Sequence, residues 1–342
     1  MKTPLRPTWS GSDITLQGIH CSFLAALNDA GIGTVIVGEL CAAMQRSPPA
    51  VETALDARAM IGESPLWCAA EQALYWIDIK APALHRFEPA GGAQRTWALT
   101  SDVGGFALLR DPPGALVALR YGLHRLDFAT GALSLLAPSP FDPALFRFNE
   151  GACDPDGRFW IGVMFDPLKP GYRTEKGGLH SFTLAGGLRA ESDLSDLHNG
   201  MAWSADGGAF YLSHSNERQI FVHSFDAGMG LMGEGALFAT LPKALGIPDG
   251  AAMDTQGGYW SACHGGGCLR RYRSDGSVDR DIRLPVSQPT MCAFGGPNLD
   301  ELYVTSARDK LSAGQLRKEP LAGGVFRVRP GESGALRSTF AS

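Results

Sequence analysis

One motif recurs six times along the 342 residues, and it limits the fold more than any other feature. A short apolar run, a polar Asp/Gly turn and a β-prone couplet appear as LWCAAEQALYW, ALLRDPPGALV, ACDPDGRFW, MAWSADGGAFY, AAMDTQGGYW and CAFGGPNLDELY. The couplets end at Trp76, Val117, Trp160, Tyr211, Trp260 and Tyr303, at spacings of 41, 43, 51, 49 and 43 residues. Each unit reads as strand, tight turn, strand, because Asp-Pro-x-Gly and x-Asp-Gly-Gly supply the left-handed positions that hairpins need. A third strand follows several couplets, as LHRFEP, LHRLDF, LHSFTL and IFVHSF, and the approach to the next unit supplies a fourth. Four short antiparallel strands per unit, six times over, predict an all-β chain folded as a six-bladed β-propeller around a central channel. A sandwich of twelve hairpins is the competing arrangement. Radial repetition accounts better for the length and for the lack of long helical patterns, since each blade covers both faces against its neighbours.

Composition fits many tight turns and a sizeable core. Glycine supplies 43 residues, hydrophobic residues make up 44% and charged residues only 19%. The net charge of −5 lacks the basic footprint that nucleic acid or an anionic membrane surface requires, which leaves a small molecule as the expected partner. Seven scattered cysteines without a C-x-x-C pair read as reduced core thiols of a cytoplasmic protein. The amino terminus has no apolar signal region, and the stretch from Gly33 to Met44 is interrupted and too short to span a bilayer. Residues 1–52 stand outside the repeat. Helix-forming residues 17–44 followed by QRSPPAVE read as an appended helix or two, or as a start assigned too early with Met44 the initiator. The propeller is expected over 53–342, and no pattern in the sequence points to an oligomeric interface.

Inner strands of a propeller begin at one mouth of the channel, so residues at one offset in different blades meet in space. Counting back 11 to 13 positions from the couplet ends reaches Glu63, Asn149, Asn199 and Asp249. The matching windows of the second and sixth units, 104–106 and 290–292, hold GGF and TMC and offer no hard ligand. Taken singly, Asn199-Gly200 and Asp249-Gly250 are common turn pairs. Their coincidence with Glu63 and Asn149 at one offset favours an all-oxygen site for one divalent cation, in which two carboxylates balance its charge. Spacing does not choose among Ca, Zn, Mn, Mg and Fe.

The segments IGESPLW (61–67), RFNEGACDPDGRFWIGVM (147–164), NGMAWSADG (199–207) and IPDGAAMDTQGGYWSACHGGG (247–267) resemble the motifs of the gluconolactonase family, which includes regucalcin (senescence marker protein) and luciferin-regenerating enzyme. The resemblance spans roughly residues 55–330 and lacks the fifty-residue leader. It implies a six-bladed propeller, a divalent metal in the channel and hydrolysis of sugar lactones. The family's metal ligands fall on Glu63, Asn199 and Asp249, and its substrate-binding Arg and Asn on Arg147 and Asn149. Members often have Asn-Asp where this chain has Asn149-Glu150, which leaves Glu150 without a role. Glu175, in GYRTEKGGLHSF, matches a substrate-contacting Glu of a variable loop.

Lactone hydrolysis needs a polarised carbonyl, a delivered water and stabilisation of the developing oxyanion. A divalent ion suits the first and third, and Asp249 at its edge suits the second as general base. Arg147 then donates to sugar hydroxyls and Asn149 holds the ring. No G-x-S-x-G elbow is present, and Ser64 is followed by Pro65 with no adjacent base in a readable motif. His85, His124 and His180 recur at matching third-strand positions and read as packing or surface groups, whereas His198 and His264 lie next to the expected site. Two other readings stand. One is a calcium-binding regulatory or scaffolding propeller without catalysis. The other is a paraoxonase-type esterase, for which His198 is the candidate histidine near the metal.

Overall fold

The alternating and fully apolar runs of the sequence become 24 short strands, β1 to β24, in six four-stranded antiparallel sheets. The computed structural model describes residues 49–109 and 111–341. The helices and the alternative start expected within residues 1–48 lie outside the described residues. Blade 1 is β2 (Gly62–Cys68), β3 (Ala73–Asp78), β4 (Ala83–Phe87) and β5 (Gln94–Ala98). Blade 2 is β6 (Val103–Leu109), β7 (Gly114–Leu119), β8 (Gly122–Asp127) and β9 (Leu133–Pro138). Blade 3 is β10 (Phe146–Cys153), β11 (Phe159–Phe165), β12 (Gly177–Thr183) and β13 (Gly187–Ser195). Blade 4 is β14 (His198–Trp203), β15 (Ala209–His214), β16 (Gln219–Asp226) and β17 (Leu231–Thr240). Blade 5 is β18 (Gly246–Met253), β19 (Tyr259–Gly265), β20 (Cys268–Tyr272) and β21 (Val278–Arg283). Blade 6 is β22 (Pro289–Gly295), β23 (Glu301–Ser306), β24 (Val325–Val328) and, outermost, β1 (Val51–Leu55).

The expected six-bladed propeller is therefore observed. Its ring closes in a way the repeat did not announce: β1 pairs antiparallel with β24, Val51 opposite Val328, so the last blade is completed from the start of the propeller. The first and last strands of the ring are thus held in one sheet, and opening the ring requires breaking that ladder.

Repeated sequence devices build the blades. In DPDGRFW the buried Asp154 carboxylate accepts the backbone N–H groups of Asp156 and Arg158, the Arg158 guanidinium and the Trp160 indole N–H at 3.0 Å. In DTQGGYW Asp254 does the same for Gln256, Gly258 and the Trp260 indole, with Arg271 as its cation. The turn carboxylate thereby fixes the rotamer of the couplet tryptophan, which is fully buried in both blades. Couplet aromatics then fill the seams between blades. Trp67 stacks on Tyr303 across blades 1 and 6, Tyr75 on Phe128 across blades 1 and 2, and Tyr211 on Tyr259 across blades 4 and 5. Such pairs add about 0.5–1.5 kcal/mol each beyond the area they bury.

The inner strands β2, β6, β10, β14, β18 and β22 line the axis and touch one another in cyclic order. The glycines of the second unit's window serve this packing, since a Cβ on Gly104 would lie 2.1 Å from the Phe148 carbonyl oxygen. Beyond β24 the chain does not stop at the sixth blade. Residues 329–341 run back across the ring, with the Phe340 N–H on the Leu108 carbonyl of blade 2 and its ring stacked on Phe182 of blade 3. On the way the Arg337 guanidinium bonds the Ala251 carbonyl, and the segment lies beside Ala152, Met201, Ala252 and Phe294, further along the inner strands than the residues expected at the mouth.

Candidate active site

Each inner strand carries a bulge at the same place. Register breaks fall at Glu63/Leu66, Val103/Gly105, Asn149/Gly151, Asn199/Ala202, Pro248/Ala251 and Pro289/Cys292. A bulge turns a strand and re-aims the side chain at that point. In three blades the residue after the aimed side chain is left-handed: Ser64 at φ 51°, Glu150 at φ 46° and Gly200 at φ 66°. The repeated bulge is the local reason that the four residues found at one offset project to one place.

They meet in a cavity of about 700 Å³, its open mouth included, which Glu63, Arg147, Asn149, Asn199, Asp249 and His264 line together with Thr290 and Lys310. Glu63, Arg147, Asn149 and Asn199 are buried and Asp249 is partly exposed to the cavity. A hydrogen-bond relay crosses from blade 3 into blade 4. Asp166 accepts Arg147 Nε at 2.9 Å, Arg147 Nη1 donates to Asn149 Oδ1 at 2.9 Å, Asn149 Nδ2 donates to Asn199 Oδ1 at 2.7 Å, and Asn199 Nδ2 donates to Ser215 Oγ at 3.0 Å. The relay orients both amides. Asn199 keeps one lone pair of Oδ1 for a ligand, and Arg147, whose Nη1 also bonds the Phe148 carbonyl, keeps the two N–H groups of Nη2. Burial would raise the Asp166 carboxyl, but bonds from Lys80 and the charge of Arg147 outweigh it and hold it at about 2. Arg147 is therefore anchored by a permanent anion.

Asn149, expected to hold the sugar ring, lines the cavity and offers it only the second lone pair of Oδ1. Both of its N–H donors are spent inside the protein, on Asn199 and on the His198 carbonyl, so it ties Arg147 to Asn199. Glu150, which had no role from sequence, points away into the next blade and accepts the Gly200 and Met201 N–H groups at 2.8 and 2.5 Å. It braces the bulge that aims Asn199. Glu175 sits on an exposed loop, residues 166–176 between β11 and β12, outside the cavity lining. Of the two histidines expected next to the site, only His264 reaches the cavity. His198 is fully buried with Nε2 on Asp193 and is absent from the cavity lining, whereas His264 lines the cavity with Nδ1 3.5 Å from Asp249 Oδ2. Burial lowers the His264 pKa and favours its neutral form.

Three carboxylates crowd this axis. Burial raises Asp249 well above the carboxylate range, and the charges of Glu63 and Glu150 push it further. Burial and then Glu150 push Glu63 up to about 8, and burial raises Glu150 as well. Arg337, behind the cavity, and Arg147 offset part of this charge. Oxygen donors that converge from separate blades and repel one another without a cation are the donor set a divalent ion requires, so the residues present fit one.

A family model described as the SMP-30/gluconolactonase/LRE-like region matches residues 61–308. The chain belongs to this family. The 6-deoxy-6-sulfogluconolactonase of Pseudomonas putida is 39% identical over 82% of this chain and 95% of that one. The L-arabinolactonase of Azospirillum brasilense is 34% identical over 87% of this chain and 98% of its own. Among solved structures, the calcium-binding regucalcin of Agrobacterium tumefaciens superposes with a TM-score of 0.80 at 28% identity, covering 86% of this chain and 98% of that one. A luciferin-regenerating enzyme gives 0.79 at 26% identity, covering 86% and 100%. All three branches named from the sequence motifs are thus represented.

For this gluconolactonase-family site the raised carboxyls make a prediction about pH. A carboxyl with a raised pKa holds its proton more tightly folded than unfolded, so the cation-free protein loses stability as pH climbs from the ordinary carboxylate range through that of Glu63. A bound divalent ion replaces those protons and removes the loss. The gain in Tm on adding Ca²⁺ is expected to be larger at about pH 8 than at about pH 5. A gain that shrinks with rising pH in thermal melts contradicts the assignment.

Proposed function

We propose that the protein is a metal-dependent lactonase that opens a sugar lactone to its aldonic acid. The observation that carries this reading is the convergence of Glu63, Asn199 and Asp249 from three bulged strands on a cavity where Arg147 keeps two unused donors. The names of the two lactonase relatives support the reaction class. Glu63, Asn199 and Asp249 would hold a divalent ion, which would supply Lewis-acid polarisation of the lactone carbonyl and stabilisation of its developing oxyanion.

Asp249 has a carboxylate oxygen to spare for base catalysis. It takes a proton from the water that attacks the carbonyl carbon and returns it to the ring oxygen as the acyl C–O bond breaks. His264, neutral beside it, does not compete as a permanent cation. Arg147 directs Nη2 at hydroxyls of the substrate, and the Asn149 relay keeps it in register with Asn199. A scaffold without catalysis gives the unused Arg147 donors nothing to do. A paraoxonase-type mechanism through His198 has no support, because that ring lies outside the cavity. Among the described residues no helix is long and apolar enough to cross a membrane, and the five described cysteines are free, which suits the cytoplasm.

The test is product formation from a panel of aldonolactones followed by NMR. Lys310 at the cavity and the sulfogluconolactonase relative make a lactone with an anionic substituent one member of the panel. At least one lactone is expected to open well above its spontaneous rate with wild type and near that rate with Glu63→Gln. No acceleration of any lactone by metal-loaded protein contradicts the proposal.

A further inference from the structure

Two histidines and an aspartate outside the channel form a cluster that the lactonase reading does not use. Asp193 lies near the end of β13 in blade 3, His198 opens β14, and His214 closes β15 directly opposite it in the ladder. Both imidazole Nε2 atoms sit 2.8 Å from the same Asp193 oxygen, and the two rings stand nearly perpendicular with centroids 5.6 Å apart. Ligand atoms of the three residues lie within 4.8 Å of one another. His198 is fully buried, while His214 and Asp193 keep 15% and 14% of their side chains exposed, which opens the cluster to solvent on one side.

We propose that Asp193, His198 and His214 form a second cation site, of transition-metal type, in the seam between blades 3 and 4. In the metal-free protein the carboxylate accepts both Nε2–H groups. Burial alone would raise the Asp193 carboxyl, but these two bonds outweigh it and keep the group an anion well below the usual range. An incoming cation takes the two Nε2 lone pairs and the carboxylate, and each ring carries its proton on Nδ1 instead. At His198 this exchange sacrifices no hydrogen bond at the far end of the ring, because its buried Nδ1 has no partner with the proton on either nitrogen.

Two imidazoles, one carboxylate and a water through the open side make a four-coordinate set suited to Zn²⁺ or Co²⁺. Imidazole donors select such ions over Ca²⁺ and Mg²⁺, whereas the proposed channel ligands Glu63, Asn199 and Asp249 offer oxygen alone. The two sites therefore sort metals by donor chemistry. Because its ligands come from adjacent blades, a bound ion at the second site cross-links the seam beside the strand that carries Asn199. The claim is independent of the lactonase assignment, since it concerns no residue of the cavity.

The experiment titrates metal-stripped full-length protein with Co²⁺ and follows visible absorption, which is intense for four-coordinate nitrogen-containing sites and weak for six-coordinate oxygen sites. Wild type is expected to show one equivalent with an intense band, lost in both His214→Gln and Asp193→Asn. Zn²⁺ is expected to raise the Tm of wild type by more than that of either variant, whose channel site is intact. Using two variants guards against one of them failing to fold. Only weak bands in wild type overturn the proposal, as does an intense band that survives in both variants, which would point to thiols or another site.

Discussion

Replacing Asp249 with Asn is expected to lower kcat by about 1,000-fold or more, because one change removes both a metal-ligand charge and the general base. The side chain has no substitute. His264 Nδ1 lies 3.5 Å from its Oδ2, but burial lowers the proton affinity of that ring. Arg147→Met is expected to act differently. Its two unused N–H groups contact substrate in ground and transition state alike, so the change should raise KM by about 10- to 100-fold with a much smaller effect on kcat. Metal-loaded steady-state kinetics for the two variants separate the roles. Equal losses in kcat would contradict the division between a base and a binding group.

Glu150→Ala should unfold the protein more readily although Glu150 touches no ligand. Two effects oppose each other. Removing the carboxylate relieves its repulsion of Glu63 and Asp249, but it leaves the Gly200 and Met201 N–H groups buried without acceptors. Each orphaned donor costs about 1–3 kcal/mol, and the relief is already partly supplied by protonation of the raised carboxyls, so destabilisation wins. A fall in Tm of roughly 3–10 °C is expected for a domain of this size. Because Glu150 braces the bulge that aims Asn199, metal affinity should also weaken by about 10- to 100-fold, as when supports of other metal ligands are removed. Thermal melts with and without metal, and calorimetric titration, measure both. Unchanged affinity together with an unchanged Tm would mean that the bulge holds its shape without Glu150.

The propeller was legible because its unit repeats in chemistry as well as in length. Asp154 and Asp254 recur five positions before Phe159 and Tyr259 for a reason that can be stated: the carboxylate ties the turn and clamps the tryptophan. The offset of Glu63, Asn149, Asn199 and Asp249 was legible because the bulge that aims them recurs in every inner strand. Features that occur once were not. Strand β1 is five residues after a proline-containing linker and shows no partner until β24 is in place. Arg337 stands alone in an aperiodic tail, and only the fold carries that tail across the ring. Glu150 was unreadable because its left-handed backbone breaks the two-residue alternation that tells which face a strand residue takes. His198 is the instructive case. Adjacent strand residues point to opposite faces, so a histidine next to a channel-facing Asn199 had to point away, into the seam with Asp193.

The most direct test of the account is lactone hydrolysis by metal-stripped protein, followed by proton release as single divalent ions are restored. The account predicts no catalysis in the stripped protein, recovery with at least one ion, and no recovery with any ion in Asp249→Asn. Full activity in protein shown to be free of metal, or restoration of the Asp249→Asn variant by metal, would contradict a cation held by Glu63, Asn199 and Asp249 at the centre of the reaction.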